Sequence, residues 1–206
     1  MSSRLLITWT KGIPVTVRCR CFARSVVAVL VFLACIAPRP VAADPSATSC
    51  QGFGSMTPGG PDGEVYHVTT QADSGPGSLR DALSQGNRIV IFNVGGDIVL
   101  STDISVNGAF ITIDGTSASE PGLSLVNAGL VLRGSRGAHD VIVRSLRIRG
   151  AVADGIQVAS DATNVVIEHV SVNGSAIRNI AVDHASDVTI CRSILSSGVA
   201  NNVVIK

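Results

Sequence analysis

Aromatic residues make up only 3% of the 206 residues, with one tryptophan, one tyrosine and five phenylalanines. A core without large rings must be filled by aliphatic side chains, and Val, Ile, Gly, Ser, Asp and Asn recur throughout. That mixture suits many short strands joined by tight turns better than a helical bundle. Charge is also sparse, at 15% of residues. No basic excess marks a nucleic-acid surface: six of the sixteen basic residues lie in the first 43 positions, which hold no acid, leaving ten basic against fifteen acidic residues in the remainder. The apolar run from Ser25 to Ala37 falls short of the ~20 residues a membrane-spanning helix needs. Three of the five cysteines lie in the same N-terminal stretch, so only Cys50 and Cys191 remain beyond it. They allow one disulfide, or two independent packed thiols.

The N-terminal stretch has its own logic. Arg18, Arg20 and Arg24 precede the apolar run, Pro38 and Pro40 break it, and Val41-Ala42-Ala43 supplies small residues before Asp44. This order predicts a signal peptide over 1–43, cleaved after Ala43, and therefore a secreted protein with no membrane span in its mature part. The segment 44–63 is rich in Pro, Gly and Ser and reads as a loop-like leader. The main domain is then expected over 64–206.

Within that domain Ser78 is placed to cap a short helix, with Leu79, Ala82 and Leu83 on one face. From Arg88 onward the chain repeats itself. Val141, Val165 and Val188 open similar units 24 and then 23 residues apart, while Asp154 of DGIQV and Asn179 of NIAV are 25 apart. A recurrence of this length marks a stacked solenoid. Each coil offers alternating Val, Ile and Leu that it cannot bury alone, and neighbours stacked ~4.8 Å away can cover them. Gly, Asn and Asp fall at the corners, where the chain turns sharply. The expected fold is all-β: a right-handed parallel β-helix of about five or six coils with a short N-terminal capping helix. The last segment, NVVIK (202–206), reads as a strand in mid-coil with nothing to cover its edge. Truncation at the C-terminus, with further coils missing, is therefore expected, or else an edge-capping partner.

In order along the chain, GFGSMTPGGPDGEVYHVTTQADSGPGSLRDALSQGNRIVIFNVGGDIVL, ITIDG (111–115), HDVIVRSLRIRG (139–150), DGIQV (154–158) and VVIEHVSV (165–172) resemble the pectate lyases of polysaccharide lyase family one. VVIEH is similar to the family's "vWiDH" segment, with Glu168 and His169 at its Asp and His. The resemblance implies a secreted enzyme acting on acidic polysaccharide by β-elimination, with calcium binding the sugar carboxylate and an arginine accepting the neighbouring proton. Asp154 then matches a calcium-binding aspartate, and Asp183 is a weaker substitute for a second. The family's partner acid falls on Val152, and its substrate-contacting lysine falls near Asn201. Its catalytic arginine lies beyond Lys206, so no catalytic residue is assigned; Arg178 and Arg192 are the local replacements to consider.

Other readings of the same residues are structural. Asp-Gly at 154–155 also makes an ordinary turn. Glu168 and His169, adjacent on a strand, would face opposite ways. His139, His169 and His184 lack metal-site spacing. Arg147 and Arg149 share one side of their strand, where they either grip a polyanionic sugar or form a solvated face. The alternative to an enzyme is accordingly a non-catalytic β-helix that binds carbohydrate or a surface partner.

Overall fold

The computed structural model describes residues 50–206. The segment assigned to a signal peptide, its cleavage point and residues 44–49 lie outside these. Among the described residues no helix is long and apolar enough to cross a membrane.

Three parallel sheets form the faces of a right-handed solenoid of about six turns. Sheet A holds six strands, Glu64–Val68, Arg88–Phe92, Ile111–Asp114, His139–Arg144, Thr163–Glu168 and Ser186–Cys191. Sheet B holds five: Gly96–Val99, Leu123–Val126, Arg147–Arg149, Ser171–Asn173 and Ile194–Ser196. Sheet C also holds five: Ile104–Val106, Leu130–Arg133, Ile156–Ala159, Arg178–Asp183 and Asn201–Ile205. From Arg88 onward the chain passes from A to B to C in each coil.

Because strand side chains alternate, in-register stacking turns the aliphatic repeat into continuous columns. Ile111, Val141, Val165 and Val188 stack inside sheet A, and Leu130, Ile156, Ile180 and Val203 stack inside sheet C. Sheet B contributes Ile98, Leu125, Ile148 and Val172, all fully buried. Each such side chain is worth roughly 1.5–3 kcal/mol before entropy is counted.

The corners use the polar residues seen in the sequence. Asp140, Asn164 and Asp187, one per coil, enter sheet A in the left-handed region at φ near 50°. Short polar side chains tolerate that conformation best. The predicted capping helix is present at Leu79–Ala82, with the Ser78 side chain accepting from the Asp81 N–H and with Leu79, Ala82 and Leu83 fully buried over the end of the stack.

The segment before the first strand is more than a loop. Residues 50–63 form a strap across the outer face of sheet A. Its backbone donates from Gly54 to Thr189 Oγ1 (2.9 Å) and from Gly60 to Thr112 Oγ1 (3.0 Å). Glycine is required for this approach. A Cβ at Gly54 would lie 2.4 Å from the Asp187 carbonyl oxygen, and one at Gly60 2.5 Å from that of Arg88. The strap ends at a Cys50–Cys191 disulfide with a Cα–Cα separation of 6.3 Å, beside the buried outer residues Ile142 and Val166. Of the two cysteine readings, the paired one is the structure's. At the other end of the stack Val199, Val203 and Ile205 are exposed.

Candidate functional site

The sequence singled out two places, and the structure puts them on different faces. Asp154 sits at the corner entering sheet C and is buried. The register pairs Ile156 with Ile180, so the residue stacked on Asp154 in the next coil is Arg178. The recurrence is 24 residues here, and the 25-residue spacing that matched Asp154 with Asn179 was one residue out of step. Asp154 Oδ1 accepts from the Arg178 backbone N–H (3.1 Å) and Nε (2.9 Å), and Oδ2 accepts from Nη2 (2.7 Å). Arg178 Nη1 then donates to Asp183 Oδ2 at 3.1 Å. One guanidinium thus lies between the two acids proposed for calcium, alongside the outward-facing, fully buried Ala181.

Calcium takes six to eight oxygens at about 2.3–2.6 Å. Three of the four carboxylate oxygens here already accept arginine N–H groups. The fourth, Asp183 Oδ1, is buried without a hydrogen-bond partner among the described residues. Val152, at the expected partner position, is an exposed aliphatic side chain. Asp154 and Asp183 as they stand do not fit calcium. Among the described residues the only three His, Cys, Asp or Glu ligand atoms within 4.8 Å of one another belong to Cys50, Glu168 and Cys191, and both sulfurs there are bonded to each other.

Nor does Arg178 suit the role of proton acceptor. The hydrogen bond to Asp154 leads the factors that raise its pKa above the ordinary arginine value, outweighing the opposing effect of burial. A base needs the reverse shift.

The second place is the outer face of sheet B. Arg147 and Arg149 flank the inward Ile148 and both point outward. Arg147 Nε donates to Ser124 Oγ at 3.0 Å. Arg149 donates through Nη1 to the Ile148 and Ser171 carbonyls and through Nη2 to Ser171 Oγ. Among the described residues neither is ion-paired. Burial, and then the positive charge of Arg147, lower the Arg149 pKa. The acids on either side of them in sequence, Asp140 and Asp154, interact elsewhere, with His139 and Asn164 and with Arg178.

Glu168 and His169 do not share a strand. Glu168 ends its strand on the outer face of sheet A with its Oε2 3.3 Å from Cys50 Sγ, while His169 lies beyond it in a left-handed bend, φ 51°, half exposed. The sequence missed a further ion pair on this face: Arg144 Nη2 meets Asp114 Oδ2 at 2.8 Å across one coil. Its signal was the stacking of ITID on IVR, legible only once the register is known.

A three-sheet parallel solenoid, helix-capped at its start and strapped on one face, is a right-handed parallel β-helix. No protein-family model matches the chain. It is 39% identical over 153 residues to a "Probable pectate lyase C" from Aspergillus flavus, covering 72% of this chain and 36% of that protein. The same description from Aspergillus terreus is 40% identical over 154 residues with the same coverages. "Pectate lyase 5" from Ambrosia artemisiifolia is 29% identical over 150 residues, covering 68% of this chain and 36% of that one. Among solved structures, Jun a 1, the major allergen from cedar pollen, aligns with a TM-score of 0.61 at 28% identity, covering 70% of this chain and 48% of that one. By sequence the chain is similar to the pectate lyases over about 70% of its length. It spans about a third of the length of the curated relatives it matches.

Proposed function

We propose that this protein is an exported, pectate-lyase-like β-helix that recognises an acidic polysaccharide of the pectate type on sheet B, with Arg147 and Arg149 as the carboxylate-binding pair. The observation that carries the reading is that these two outward arginines sit on one strand face with no acid paired to either among the described residues. Guanidinium offers a planar fork that matches a carboxylate, and burial of Arg149 beside a like charge makes an incoming anion more favourable. The relatives' names support pectate as the substrate class. The reaction such names imply is β-elimination: a base takes the proton next to the sugar carboxylate, and the 4-linked sugar leaves. Binding is the activity that the two outward arginines support directly, and elimination is the wider proposal.

The test is retention of polygalacturonate by the purified chain, with unsaturated product followed in the same samples. We expect Arg147→Ala with Arg149→Ala to weaken binding by at least about tenfold, for a loss of the order of two hydrogen-bonded ion contacts. The weakening should shrink as salt rises, because exposed charges are screened. Unchanged binding by a folded double variant would refute the assignment, and product formation by the wild-type chain would establish elimination.

A further inference from the structure

The disagreement between Asp154, Asp183 and calcium carries a positive statement. We propose that Arg178 is a covalently tethered cation, holding the place between Asp154 and Asp183 that a divalent ion would otherwise take, so that this face of sheet C is metal-independent.

The geometry has the features of an ion site with an arginine in it. Asp154 and Asp183 lie at opposite ends of the same outward surface, one at the corner before sheet C and the other at the end of the next coil's strand. Their side chains are 9% and 20% exposed, and the arginine side chain between them is 15% exposed. Two carboxylates so buried need a positive partner. Arg178 supplies it through Nε and both Nη atoms, with its backbone N–H adding a fourth bond. The arginine is fixed there by its own strand, so occupancy does not depend on the concentration of any ion. A guanidinium also stays charged at every ordinary pH, and here the acids raise its pKa further. Calcium could enter only by displacing a group that makes four hydrogen bonds to the same two acids.

This inference does not rest on the polysaccharide reading, because it concerns another face and its test contains no sugar. The full disulfide-bonded chain would be titrated with calcium by calorimetry, and its thermal unfolding followed in calcium and in chelator. The wild-type protein should bind no calcium at millimolar concentration and should unfold at the same temperature in both. Arg178→Gln removes the tethered charge and leaves the acids. It should unfold at a lower temperature than wild type and should then gain at least about 3 °C from ~5 mM calcium, the size expected for a weak extracellular-type site in a chain of this length. Arg178→Lys keeps a positive charge and should remain indifferent to calcium. Calcium binding by the wild-type protein that Asp154→Asn abolishes would overturn the proposal. So would a folded Arg178→Gln variant that ignores calcium. If Arg178→Gln does not fold, the wild-type titration alone still decides the claim of metal independence.

Discussion

Asp114 with Arg144 on sheet A and Asp154 with Arg178 on sheet C are one device used twice: an aspartate on one coil held by an arginine stacked on the next. The two pairs are almost equally covered, at 9% and 14% side-chain exposure on sheet A against 9% and 15% on sheet C. They differ in what surrounds them. On sheet A the glycine-rich strap lies over the neighbouring outward column of Thr112, Ile142, Val166 and Thr189, and the disulfide closes the coil beyond Glu168. On sheet C the arginine reaches a second acid and covers the strand itself. Equal burial therefore has two origins, one borrowed from a separate segment and one built into the face itself.

Cutting the strap should separate the two faces most sharply. Replacing Cys50 and Cys191 with serine removes a link across 141 residues. For a loop of that size the expected loss is about 4–5 kcal/mol, measured as a lower urea midpoint. Amide exchange should rise at Ile142 and Val166 and stay unchanged at Ile156 and Ile180. Equal loosening on both sheets would show that the strap braces the whole solenoid rather than one face.

The arginines give the next largest effect. Arg144→Met leaves Asp114 without its ion partner in a covered position and should cost about 3 kcal/mol in urea unfolding. Glu168 stands in register with Arg144 on the following coil, so this arginine too lies between two acids. No measurable loss in Arg144→Met would show that the arginine is worth no more there than a packed apolar side chain.

How much of this was readable in the sequence depended on register. Short-range patterns sufficed for the fold: the alternation in DVIVRSLRIRG, the recurrence of Val141, Val165 and Val188, and the Ser78 cap all describe local geometry, and stacking follows from them. The site was less legible because its partners come from different coils. A spacing of 25 set Asn179 beside Asp154, and the true pairing of 24 sets Arg178 there, which turns a candidate calcium ligand into half of an ion pair. One residue of slip is enough, since strand side chains alternate sides. The strap was hidden for a different reason. Proline and glycine in 44–63 signal irregular backbone whether it hangs free or lies against a sheet, and only the close approach at Gly54 and Gly60 distinguishes the two.

The smallest expected effect is on pH dependence, and it arises on sheet A. Burial pushes the Asp114 carboxyl upward, but the hydrogen bonds from Arg144 and Thr116 outweigh it and leave the group below its ordinary value. A carboxyl depressed by folding stabilises the protein at any pH above the unfolded value of about 3.9, and that contribution fades as the pH falls through the folded value. Arg178, with its pKa raised by Asp154, keeps its charge throughout the same range. Stability measured by urea unfolding from pH 5 down to pH 2 (roughly the span over which such a carboxyl titrates) should therefore decline less steeply in Asp114→Asn than in wild type. The asparagine still accepts from the Thr116 N–H but has no proton to gain, so the difference between the two slopes isolates the ion pair. Parallel curves would mean that the acid sensitivity of the fold belongs to other carboxylates, and that the bond between Asp114 and Arg144 is worth no more in its charged form than in its neutral one.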